Sequence, residues 1–282
     1  MRNFNIFNGS TSDFLDEVIA SKRDSQKDPN YKVRLSLVVP NLKVLFANYD
    51  RAHNAKNHII LLSHGYENQE KTDLLKLYSF KSSKLQKLKK SLTTVLDNRA
   101  MNTCQYCTIA PIGSFDHILP KGEFPEFSVN PKNLIPTCTT CNSHKNENWK
   151  RNGRTVFLNL YTDILPNEQY LFVELQTTNN VTEATFELRN TNNIDDNFFV
   201  LLESHYRGLH LLQRFKEESS NIISEFTVLL LSSKNIVNRN QIVEVVNAKI
   251  LGDKAIRGTN YYKSILEDAL INDLDYLNQI FS

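Results

Sequence analysis

The chain reads as an α+β protein, mainly helical, with a small ββα core and a short antiparallel sheet after it. Three observations predict this. Apolar residues recur at helical spacing over much of both ends of the chain. All four cysteines lie between residues 104 and 141, as two Cys-x-x-Cys pairs. A patch rich in aromatic and branched residues follows them, over 155–188.

The 282 residues suffice for one large domain or two to three lobes, and 40% hydrophobic content allows a real core. There is no run of eighteen apolar residues, which argues against a membrane span. The start, Met1 to Ile6, lacks the apolar core of a signal peptide, so cytoplasmic residence is expected. Net charge is only +2, but it is uneven. Lys71, Lys76, Lys81, Lys84, Lys87, Lys89 and Lys90 face only Asp73 over 71–90, a balance of +6. That stretch would suit a nucleic-acid backbone, or it is a solvated helix face. Residues 193–282 hold nine Lys/Arg against twelve Asp/Glu, a balance of −3.

In chain order, residues 1–30 are polar and expected to be loosely held. Residues 31–62 and 71–95 read as helix, the second carrying Leu74, Leu77, Leu85, Leu88 and Leu92 between its lysines. Pro40 should break or start an element. Thr155–Leu158, Tyr170–Leu175 and Ala184–Leu188 read as strands, the last two separated by a turn at 177–180. From Asp195 the pattern is helical. One stripe holds Phe198, Leu202, His205, Leu209, Leu212 and Phe215. A second holds Ile222, Phe226, Leu229 and Leu230. A third holds Ile242, Val245, Val246 and Ile250, with Gly252 as its C-cap, and a last runs from Tyr262 to Phe281. Four segments result: an N-terminal helical region at 1–95, a cysteine module at 96–155, a β region at 156–192 and a helical lobe at 193–282.

Cys104, Cys107, Cys138 and Cys141 suit a tetrahedral Zn²⁺ better than disulfides, given a reduced compartment. Unbound buried cysteines are the alternative. Thirty residues separate Cys107 from Cys138, room for two short strands and their loop. The ion would then staple a hairpin to the following helix. Four thiolates leave zinc no open position, so such a site is structural, and any catalysis needs other ligands.

Those ligands are sought inside the knuckles. Asp116 and His117 stand on an expected strand, Phe115 to Leu119, ended by Pro120. Alternation puts their side chains on opposite faces. A carboxylate can hold a hard cation such as Mg²⁺ or Mn²⁺, and a neutral imidazole can take a proton from water. Phosphodiester hydrolysis uses both. Asn133 could tie its loop backbone together through its amide. Asn142, read as opening the helix after Cys141, could bring a second oxygen to the metal, with His144 as the alternative. Asp116 and Asn133 could also be turn caps, and His117 alone a structural histidine. His205 and His210 lie on an apolar stripe and read as core. His53, His58 and His64 are assigned nothing, and Trp149 is expected to pack the motif helix down.

The order Cys-x-x-Cys, Asp-His-Ile-Leu-Pro, Asn-Leu-Ile-Pro, Cys-x-x-Cys-Asn-x-x-Lys resembles the HNH (ββα-metal) endonucleases over roughly residues 100–150. The resemblance implies His117 as general base, Asp116 as a ligand of a catalytic Mg²⁺ or Mn²⁺, and Asn133 as the residue ordering the loop. It implies Asn142 as second metal ligand and Lys145 near the phosphate. DNA is the implied substrate, with RNA as an alternative target. A looser likeness joins Leu119–Ser128 and Phe157–Pro166 to HNH proteins of bacterial anti-phage systems of the Septu and retron-associated types. It implies a partner protein such as an ATPase encoded nearby, for which the lobe at 193–282 is the candidate surface. A non-catalytic zinc module for nucleic acid or protein is the competing reading. It would leave the Asp-His pair unexplained.

Overall fold

A computed structural model describes residues 1–94, 101–179 and 181–281. The chain is α+β and mostly helical. It forms two compact units, one of residues Asn3–Ile164 and one of Met1–Arg2 with Leu165–Ser282.

The Asn3–Ile164 unit begins with helix where loose chain is expected. Helix α1, Thr11–Ala20, is capped by Ser10, whose hydroxyl accepts from the Asp13 N–H, and it buries Phe14, Leu15 and Val18. These three fall at i, i+1 and i+4, a short apolar stripe inside a polar segment. Helix α2, Tyr31–Asn54, contains Pro40 rather than ending at it. Leu35, Leu42, Phe46 and Tyr49 are all sealed on its inner face. That packing outweighs the roughly 3 kcal/mol a proline costs inside a helix. A 3-10 turn at His58–Ile60 follows the helix.

The expected helix over 71–95 is two helices, α3 at Asn68–Leu75 and α4 at Ser83–Thr93. Ser82 caps α4 by accepting from the Leu85 N–H, and such a local bond favours a fresh start over continuation. The leucines of the stripe are all buried. Residue 95, the end of the expected helix, lies outside the described residues.

Then come β1, Ser114–His117, and β2, Leu134–Thr137, paired antiparallel with His117 opposite Leu134. Helix α5, Thr139–Lys145, follows at once, capped by Cys138. Asn142 is therefore in the middle of α5 and does not open it. The Thr155–Leu158 strand is also corrected. Only Arg154–Thr155 pairs (β4), with Lys150–Arg151 (β3), while Phe157 and Leu158 are buried outside any strand.

In the other unit, β5, Leu171–Thr178, pairs with β6, Val181–Leu188, in unbroken antiparallel register. Both expected strands are present, and both are longer than expected. Of the turn, Asn180 lies outside the described residues. Helices follow: α6 Asp196–Gly208, α7 Leu211–Ser233, α8 Arg239–Arg257, α9 Tyr262–Asn272 and α10 Leu274–Phe281. Helices α7 and α9 pack on the hairpin. The stripe from Phe198 to Phe215 is split at Leu209–His210, where His210 takes φ 54°. The last stripe is likewise split at Asp273. Gly252 does not end α8, which runs on to Gly258 at φ 96°. Val245 is 68% exposed, so only Ile242, Val246 and Ile250 form that inner face.

Candidate metal centre and catalytic site

The four cysteine sulfurs lie within 4.8 Å of one another, and all four residues are buried. The Cys107 and Cys138 sulfurs are 3.8 Å apart. A tetrahedron with metal–sulfur bonds of about 2.3 Å has an edge of about 3.8 Å, so the spacing suits zinc. Local folding sets this up. Thr108 bends the first knuckle at φ 55° and donates its N–H to the Cys104 carbonyl. In the second, the Cys138 sulfur accepts from the Cys141 N–H at 3.3 Å. The cluster is a potential zinc site at the joint of hairpin and α5.

Strand β1 sends Asp116 to one face and His117 to the other, as a period of two requires. Asp116 is 1% exposed. Its Oδ2 accepts from the Tyr106 hydroxyl at 3.2 Å, and its Oδ1 meets the Lys145 ammonium at 3.0 Å. Burial pushes its carboxyl pKa up, while Lys145 and Tyr106 oppose that shift. Lys145 is buried too, and also donates to the His117 carbonyl at 2.7 Å. It thereby ties the end of α5 to β1.

On the opposite face the His117 ring is 6% exposed. Its Nε2 donates to the Ser128 carbonyl at 2.9 Å. That bond puts the proton of the neutral ring on Nε2 and leaves the lone pair on Nδ1. Burial drives the imidazole pKa down to about 3, with Lys121 and Lys145 adding to the effect and the Ser128 bond opposing it. His117 is thus neutral at pH 7, the state a base needs.

Asn133 is fully sealed and fully bonded. Its amide nitrogen donates to the Leu119 and Phe127 carbonyls, at 3.0 and 3.1 Å. Its amide oxygen accepts from the Leu119 N–H at 2.8 Å and the Tyr49 hydroxyl at 3.1 Å. The loop between β1 and β2 is closed around it. Asn142 is half-buried, one turn before Lys145 and on the same face of α5. Its side chain makes no hydrogen bond among the described residues, and none joins it to Asp116. His144 is exposed, about 100° round the helix from Lys145.

Sequence reasoning missed Tyr49, Tyr78 and Tyr106. Tyr78, between α3 and α4, meets the His117 ring edge-on at 4.9 Å. Its hydroxyl accepts from the Phe115 N–H at 3.1 Å. Tyr106 had a signal, because it stands inside the first knuckle. Tyr49 and Tyr78 had none, since their partners are 84 and 37 residues away. His53 and His58, assigned nothing, are buried against Tyr49. Trp149 packs edge-on against Phe124 at 5.5 Å.

A donor set of one carboxylate and one amide oxygen suits a hard cation. Lys145 and Tyr106 engage both carboxylate oxygens of Asp116 in this structure, so a cation there would have to share or displace them.

Residues 104–148 match the family model HNH, HNH endonuclease, so the chain carries an HNH endonuclease domain there. The chain is 24% identical over 281 residues to Protein ea31 of Escherichia phage lambda, covering 90% of this chain and 87% of that protein. No solved structure matches it. Among the described residues, no helix is long and apolar enough to cross a membrane.

Proposed function

We propose that this protein is a metal-dependent endonuclease hydrolysing phosphodiester bonds in DNA, with His117 as general base. The observation that carries the reading is the orientation of that ring. A backbone carbonyl holds Nε2, the ring is neutral, and Nδ1 is left to accept a proton from water. The HNH match over the same residues supports it.

The chain's own residues divide the work. His117 removes the proton of the attacking water. Asn133 holds the loop that carries Ser128 and so fixes the imidazole. Lys145 keeps a positive charge beside Asp116. A Mg²⁺ or Mn²⁺ held by Asp116 and Asn142 would neutralise charge on the phosphate. Zinc in the four cysteines would keep β1, β2 and α5 in register. The role we propose is in bacterial defence against phage, in line with the resemblance to HNH proteins of anti-phage systems. The 193–282 lobe is proposed to dock a protein such as an ATPase.

His117→Ala should lower Mg²⁺-dependent cleavage of plasmid DNA by about 10²–10⁴-fold with zinc content unchanged. Cleavage at the wild-type rate would remove His117 from the mechanism. A protein that binds zinc and never cuts DNA or RNA would favour the non-catalytic module.

A further inference from the structure

Lys121 follows Pro120 just beyond β1, and it is a cation without a counter-ion. Lys71, Lys76, Lys84, Lys132, Lys145 and Lys150 of the same unit each reach an oxygen. Lys121 has no hydrogen bond or ion pair among the described residues, though it is half-buried. Among the described residues no nearby acid pairs with it, although the Glu147 carboxylate lies beside Gly122 and Glu126 Oε2 is sealed without a partner. Glu123 accepts from the Trp149 indole and pairs with Lys150, and Glu126 accepts from the His64 N–H.

An aromatic face holds Lys121 in place instead. Its ammonium lies 4.7 Å from the centre of the Tyr78 ring. Tyr78 is itself pinned, because its hydroxyl accepts from the Phe115 N–H and donates to the Phe115 carbonyl. The same ring meets His117 at 4.9 Å. Lys121 and His117 therefore share one fixed ring. A stem packed on an aromatic ring merely to cover it would serve as well without the charge. A half-desolvated ammonium kept beside a base is costly unless an anion arrives to meet it, and burial already pushes its pKa down.

We propose that Lys121 is a phosphate-binding residue of this site, receiving a phosphodiester oxygen of the nucleic acid next to His117. Tyr78, supplied from outside residues 104–148, is the positioning residue that aims it. The proposal rests on the nuclease reading and adds the group that seats the substrate.

The test uses the full chain with zinc bound and a duplex DNA oligonucleotide as probe. Affinity is measured against salt concentration in a His117→Ala background, where the probe is not cut. Lys121→Met keeps the stem on Tyr78 and removes only the charge. It should weaken binding about tenfold and flatten the log–log salt slope by about one. Lys121→Arg should retain both. Tyr78→Leu should lose the same slope, and adding Lys121→Met to it should cost little more. In the otherwise wild-type chain, Lys121→Met should lower kcat/KM at least about tenfold. An unchanged salt slope with wild-type cleavage in Lys121→Met would overturn the proposal while leaving the nuclease reading intact, provided His117→Ala is inactive. A His117→Ala protein that still cuts would sink the nuclease reading instead. Should Lys121→Met lose its circular-dichroism signature, Lys121→Gln with the same slope measurement decides.

Discussion

Asn133 in one unit and Phe215 in the other are both sealed from solvent, and they hold their surroundings in opposite ways. Asn133 makes four hydrogen bonds, each to a different group. Phe215 makes ring contacts, stacking on Tyr262 at 4.5 Å and meeting Phe186 and Tyr206 edge-on. The difference follows from element length. Strands β1 and β2 have four residues each and α5 has seven, too short to bury much apolar area. Their register must come from directional bonds and from metal. The β5–β6 hairpin and helices such as α7, with 23 residues, can rely on area. The HNH module is thus specified by a few polar contacts, any one of which is expensive to lose.

Metal removal is the strongest way to probe this contrast. Stripping the cysteine site with a chelator should cost the module up to about 10 kcal/mol. Hydrogen exchange should then lose protection over 104–148 and keep it over 171–281. Equal loss in both units would break the comparison. A matched pair of substitutions comes next. Lys145→Met strands the Asp116 carboxylate and should destabilise the Asn3–Ile164 unit by about 3–5 kcal/mol, with partial recovery on adding Asp116→Asn. Phe215→Ala should cost a similar 3–5 kcal/mol in the other unit, and bound zinc should be unchanged. Denaturant melts of the two variants, read with zinc content, separate these outcomes.

Acid is the gentlest probe. His53 and His58 have folded pKa values of about 4, lowered by burial, against about 6.5 when unfolded. Their ring contribution is present in full above pH 6.5 and is lost as pH falls from 6.5 towards 4. Both nitrogens of His53 and Nε2 of His58 are sealed without partners, so nothing in the fold welcomes the added proton. The urea midpoint should fall across that window, and less so in His58→Phe. A flat profile would mean that these rings are open to water.

Much of the module was legible because its signals are local. The knuckles, the Asp-His pair and Asn133 each sit beside the backbone they organise. The thirty-residue gap between knuckles foretold a hairpin, and β1 with β2 fills it. The helices after Asp195 were legible by period, but not their ends at Leu209–His210 and Asp273. There the apolar spacing carries on across a break, and only backbone conformation records it. Asn142 was misplaced within α5 because a cysteine is an uncommon cap, and Cys138 does the capping here. Tyr49 and Tyr78 were illegible for a different reason. A tyrosine on a helix or in a loop gives no sign of the distant carbonyl or imidazole it will meet.

The hydroxyl that Tyr49 lends to Asn133, and the ring that Tyr78 sets against His117, bear on inheritance. A gene segment encoding only residues 104–148 would be an incomplete cassette. Moved by recombination into another protein, it would carry its cysteines and its histidine but leave behind two of the aromatic props that brace them. A recipient would have to supply replacements, or the transplanted motif would bind metal without cutting. Upstream helices of this kind should therefore travel with the motif.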